Sequence, residues 1–298
     1  MAWVGVLLLA AGCAAPKAPF ADADWVSHSS TGRGAYERGD YQRAADAYGR
    51  AQQRARALDD ADALAVAAVN RATSLLAAGQ AGEARAAVEG ALADGRTSAS
   101  RRAELLVAGA RAETALGKSD EALGRVDEAL KLGPSPALKA QALLAKSGAE
   151  LAKPDATAAA KALSDGMSAK AWSALPESLR AEQAALRARI AVAEKKPAEA
   201  MAWQDKAAAL WKEAGRLPEM ARALAEAGRQ AQTSGDVAGA CDRFHRAARS
   251  LWAQGLRPEA VRTLEEGVSC AELHKDEAVS KRMAALFVTF QDGKRPLE

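Results

Sequence analysis

Gly39-Asp40-Tyr41-Gln42-Arg43-Ala44-Ala45-Asp46-Ala47-Tyr48-Gly49-Arg50-Ala51 is the stretch on which the fold turns. A glycine followed by an N-capping aspartate marks the end of one helix and the start of the next. Five residues after the glycine stands Ala44, four later Tyr48, three later Ala51, so small, large and small side chains share one face of a helix. The same stripe follows Gly79 as Ala84, Val88 and Ala91, and Gly117 as Ala122, Val126 and Ala129. It returns after Gly235 as Ala240, Phe244 and Ala247, and after Lys195 as Ala200, Gln204 and Ala207. The alanines let a neighbouring helix approach closely while one larger side chain fills the gap.

Composition agrees. Alanine is about a quarter of the 298 residues and aromatics only 4%, which favours helices over the bulky filling of a sheet sandwich or barrel. A second duplication, LWKEAGRLPEMARAL (210–224) against LWAQGLRPEAVRTL (251–264), has a spacing near 40 residues. Units of this length that recur along a chain stack into a solenoid with one continuous core. Stops at Gly39, Gly79, Gly117, Gly215, Gly235 and Gly255, with starts at Asp40, Ser135, Asp236, Pro197, Pro218 and Pro258, predict fourteen helices in seven pairs between residues 23 and 291. The least regular stretch, 164–176, contains Gly166, Ser168, Trp172 and Pro176 and is read as a seam between an N-terminal block (23–165) and a C-terminal block (166–298).

Gly32, Ala44, Tyr48 and Ala51, and again Gly228, Ala240, Phe244 and Ala247, resemble the tetratricopeptide repeat, and Leu130 and Pro134 close the third unit at that family's spacing. The resemblance implies a right-handed, all-α solenoid of about seven repeat-like helix pairs. It also implies that the first helix of each pair lines a concave groove. The groove-facing position, carried over from the family, falls on Thr73, Arg111, Ser147, Arg189 and Arg229. Three are arginines, whose guanidinium forks pair with carboxylates, so the expected ligand is an acidic segment or a chain terminus. The competing reading is that these arginines pair with nearby glutamates on solvated helix faces.

The N-terminus, MAWVGVLLLAAGC, is an apolar run too short to span a bilayer and is read as a signal peptide (1–12). Its end, Ala10-Ala11-Gly12-Cys13, resembles the bacterial lipobox, which implies lipidation of Cys13 and a tether over 13–22 containing Pro16 and Pro19. Ala14 is not the aspartate that the same resemblance associates with inner-membrane retention, so the expected location is the outer membrane, facing the periplasm.

Other chemistries find little support. Lys and Arg number 41 against 38 Asp and Glu, a net charge of +3 too balanced for a chain that neutralises nucleic acid. His28, His245 and His274 lack ligand spacing for a metal, and the glycines are spaced as helix stops rather than as phosphate cradles, so no metal, cofactor or small-molecule substrate is expected. Trp211 and Trp252 recur with the duplicated unit and read as packing. Cys241 and Cys270 lie at equal distances from the turn near Gly255, the height needed for a disulfide in an oxidising compartment. A helical wheel instead places Cys270 opposite Val261, away from the contact, which favours two reduced thiols. The expected function is an envelope lipoprotein scaffold that binds a protein or peptide and assists assembly or positioning of an envelope complex. A docking subunit or enzyme for cell-wall material, and a cytoplasmic adaptor with Cys13 unmodified, are the alternatives.

Overall fold

A computed structural model describes residues 22–273 and 277–291. Cys13, its tether and His274 lie outside the described residues. Fifteen helices follow one another: α1 (Ala23–Glu37), α2 (Tyr41–Ala57), α3 (Ala61–Ala77), α4 (Ala81–Leu92), α5 (Ala99–Ala115), α6 (Ser119–Lys131), α7 (Pro136–Ala152), α8 (Ala156–Asp165), α9 (Ala169–Ser173), α10 (Glu177–Ala193), α11 (Pro197–Glu213), α12 (Leu217–Ser234), α13 (Val237–Ala253), α14 (Arg257–Leu273) and α15 (Glu277–Gln291). They pack on their sequence neighbours as an all-α solenoid, with seven long pairs as the repeat spacing requires. The seam holds one element that periodicity did not announce, the five-residue helix α9.

The predicted punctuation is present. Asp40, Ser135 and Asp236 accept hydrogen bonds from the backbone N–H groups of Arg43, Leu138 and Gly239, satisfying donors that the first turn leaves free. Gly39, Gly79, Gly117, Gly215, Gly235 and Gly255 all adopt positive φ at helix ends, where a Cβ would be strained.

The pairs share a register. A small residue on the first helix stands sixteen positions before a larger one on the second: Gly32 and Tyr48, Ala72 and Val88, Ala110 and Val126, Ser147 and Leu163, Ala188 and Gln204, Gly228 and Phe244, Gly267 and Met283. The larger members are all buried. A Cβ on Gly32 would lie 2.9 Å from the Tyr48 ring, and one on Gly228 would lie 3.1 Å from Phe244, so glycine is what lets the rings lie against the helix backbone. The alanines of the five stripes are buried beside them.

The solenoid curls far enough for its first pair to meet its last two. Arg222 Nη1 on α12 donates to Tyr41 Oη on α2 at 2.7 Å, and the Arg216 guanidinium lies 4.8 Å from the centre of the Tyr36 ring. Leu256 packs on Gly39, within 3.2 Å of where a Cβ would stand. These contacts close the curl around the concave side.

Candidate functional site

The concave surface holds two adjoining cavities. The larger, of about 820 Å³, runs between the first pair and α10–α14, and the smaller, of about 290 Å³, continues it between α5, α7 and α10. Trp211 and Ala185 line both, which makes one channel of them.

The channel wall is a ladder of ion pairs between first helices. Arg222 on α12 grips Glu259 on α14 with two bonds of 2.8 Å, from Nε and Nη2. About two turns on, Arg229 grips Glu266 through bonds of 2.7 and 2.9 Å and also donates to Glu226 at 2.5 Å. Arg111 on α5 reaches Glu182 on α10 at 2.7 Å. The two-pronged geometry suits a guanidinium and a carboxylate, and it fixes the lateral stagger of α12 on α14. Glu259 is held below the usual carboxylate range chiefly by its hydrogen bond from Arg222. Burial costs the Arg222 guanidinium some of its charge stability, but its bonds to Glu259 and Tyr41 outweigh that and raise it above its ordinary value. Burial raises the Tyr41 hydroxyl, so it stays protonated and accepts from Arg222 as a neutral phenol.

The groove positions expected from the sequence divide into two groups. Arg111 and Arg189 line the smaller cavity together, and Arg229 lines the larger. Thr73 turns its hydroxyl back onto the carbonyl of Val69 at 2.9 Å and lines neither cavity. Ser147 is fully buried, which corrects its assignment to the groove. It occupies the small position itself, sixteen residues before Leu163. The next residue, Gly148, lines the channel, so the expected position was one residue early in this repeat alone.

The charge of the surface is also corrected. Arg111 and Arg229 are paired with glutamates of this chain, and Glu219, Glu226, Glu259 and Glu266 share the large cavity with Arg222, Arg229 and Arg262. The wall is therefore of mixed sign rather than a row of free cations. Arg222, Glu259, Tyr36 and Tyr41 were not singled out by sequence reasoning. The signal available was the common spacing of Arg222 to Glu259 and Arg229 to Glu266, one repeat apart. Trp211 packs as its duplication implied, and its ring edge still lines the channel.

The two thiols require a further correction. Cys241 Sγ and Cys270 Sγ lie 3.4 Å apart, both buried and both free, so Cys270 faces its partner rather than away from it. The buried face of α14 is centred on Ala260, Leu264 and Gly267, not on Val261, which is only half-buried. Burial, reinforced by the contact with Cys241, pushes the Cys270 thiol up to about 12.

No protein-family model and no curated protein sequence matches the chain. Among solved structures it is similar to the apo form of RapI, with a TM-score of 0.58 and 10% identity over 91% of this chain and 77% of that one. It is likewise similar to a Rap protein complexed with Competence and Sporulation Factor, with a TM-score of 0.53 and 15% identity over 91% of this chain and 75% of that one. A tetratricopeptide repeat protein from Parabacteroides merdae overlaps more loosely, with a TM-score of 0.40 and 15% identity over 90% of this chain and all of that one. The two Rap structures share with this chain its fold, an α-solenoid of tetratricopeptide-like helix pairs.

Proposed function

We propose that this chain is a cell-envelope scaffold that holds a protein or peptide segment in its concave channel and positions it for assembly of an envelope complex. The observation that carries this reading is the open concave channel formed by the adjoining cavities of about 820 and 290 Å³, the larger of them bordered by the first helix pair and the last two. Its lining suits a polypeptide. Tyr36, Tyr41 and Trp211 offer flat apolar faces, while the Arg–Glu ladder offers donors and acceptors along one wall. A Rap protein of the same fold is seen complexed with Competence and Sporulation Factor, which supports a binding role by analogy of fold. In this reading the mechanism is presentation, without a chemical step. Lipidation at Cys13 anchors the scaffold at the outer membrane with the solenoid in the periplasm, an inference that rests on the Ala10-Ala11-Gly12-Cys13 sequence.

The test is crosslinking and capture from membranes with two variants. Cys13→Ser loses incorporation of a labelled fatty acid and moves to the soluble fraction. Replacing Arg111, Arg189 and Arg229 together by Gln leaves Glu182, Glu226 and Glu266 without their partners and weakens capture of the partner by about tenfold or more. Undiminished capture by the triple variant removes the channel as the binding surface, and equal labelling of wild type and Cys13→Ser removes the anchor.

A further inference from the structure

A third cavity, of about 480 Å³, lies outside the channel, at the seam between α8, α9, α10 and α11. It exists because α8 is short. The second helices of the other pairs run for 12 to 17 residues, whereas α8 stops after ten, at the turn containing Gly166. Leu143 closes on that turn so tightly that a Cβ on Gly166 would lie 2.4 Å from its side chain. The notch left by the missing turns is only partly filled by α9. There Trp172 is buried, with its Nε1 donating to the carbonyl of Leu163 at 3.1 Å.

What remains open has a definite chemistry. Its floor is apolar, built from Leu163, Met167, Trp172 and Leu210. Its polar lining carries Arg180, Arg187 and Lys206 and no carboxylate. Arg180 is neutralised locally by Glu177 at 2.8 Å. Arg187 and Lys206 have no ion-pair partner among the described residues. Both stand within cation–π distance of the Trp203 ring, at 5.1 and 4.8 Å from its centre. A cation without a carboxylate partner gains from an anion placed beside it. In the channel glutamates of the chain itself pair with the arginines; at the seam Glu177 pairs with Arg180 and Glu199 accepts from Trp203 Nε1 at 3.4 Å, and neither forms an ion pair with Arg187 or Lys206. A volume of this size accommodates a small ligand.

We propose that the seam pocket binds an amphiphilic monoanion, an aliphatic carboxylate whose head is held by Arg187 and Lys206 and whose chain lies against Leu163, Trp172 and Leu210. The site is separate from the channel, and its test reads neither partner capture nor membrane anchoring. Decanoate is the probe, titrated calorimetrically below its aggregation concentration against the full chain, with decanol and decylammonium as neutral and cationic analogues of equal length. Decanoate is expected to bind at least tenfold more tightly than either analogue, and to weaken as salt is raised because the pocket mouth is open to screening. Replacing Arg187 and Lys206 together by Gln should remove that preference. Gln183→Glu, which places a carboxylate in the pocket at almost no change of volume, should weaken decanoate by a similar factor while leaving the melting temperature near that of wild type. Equal affinity for decanoate and decanol overturns the proposal. So does decanoate binding that survives both variants or responds instead to Arg229→Gln, since the anion would then sit in the channel.

Discussion

The fourth and sixth helix pairs obey the same register rule and part company in length. In the sixth, Gly228 on α12 faces Phe244 on α13, and α13 runs for 17 residues. In the fourth, Ser147 on α7 and Leu163 on α8 hold the same register and are both buried, but α8 stops after ten residues and a cavity opens. One small-against-large contact is enough to dock a pair. The length of the second helix is what decides whether the outer groove is filled or left open for something else. In a chain whose repeats pack mainly on their neighbours, such a local truncation leaves the rest of the stack intact.

The largest effect that probes this difference comes from the large members. Phe244→Ala should cost about 3 to 5 kcal/mol, because Gly228 has no side chain to relax into the void. Leu163→Ala should cost about 2 to 4 kcal/mol, since the shorter side chain leaves a smaller hole beside a loop. Amide exchange should localise the damage, to α12–α15 for the first and to α7–α10 for the second, with the first two pairs protected in both. Loss of protection spread evenly along the chain would show a single cooperative globule in place of a solenoid.

Helix pairs and their register were legible because glycine stops, aspartate caps and proline starts report local backbone conformation directly. The helix α9 was not, since five residues between Gly166 and Pro176 are too few to show a period. The misplacement of Ser147 has the same origin. Its neighbours Lys146 and Gly148 do not distinguish the small position from the groove position, and the partner that settles it, Leu163, sits on the one truncated helix. Arg111, Arg189 and Arg229 follow from the repeat phase, but the glutamates that pair with Arg111 and Arg229 across repeats lie 71 residues away at Glu182 and 37 at Glu266. The meeting of Tyr41 with Arg222 is separated by 181 residues and depends on the summed curvature of every pair between them, which no local pattern records. The helical wheel turns Cys270 away because it centres the contact on Val261, whereas the buried face runs through Leu264 and Gly267.

A covalent link sharpens the contrast at an intermediate level of effect. With diamide as oxidant, the facing Cys241 and Cys270 thiols give up two electrons and two protons to the reagent, which becomes the corresponding hydrazine, and join as a disulfide between α13 and α14. Closing that loop should stabilise the last two pairs by about 2 to 4 kcal/mol and leave the seam unaffected. The raised Cys270 thiol remains protonated at neutral pH, so the reaction should speed up as pH rises. Cys270→Ser should abolish the gain, and a diamide-treated wild type with unchanged melting would show that the two sulfurs do not meet in solution.

Closure of the solenoid on itself is the claim on which the channel depends, and its smallest contact tests it most directly. Arg222 Nη1 and Tyr41 Oη meet at 2.7 Å from opposite ends of the described chain, while Arg222 separately holds Glu259. A double-mutant cycle of Tyr41→Phe and Arg222→Gln, read by chemical denaturation, isolates the contact between the ends from the ladder. A closed ring predicts a coupling of about 0.5 to 1.5 kcal/mol, the range of a hydrogen bond in a half-buried setting. Strict additivity of the two substitutions would contradict it, and with it the wall that the first pair lends to the channel.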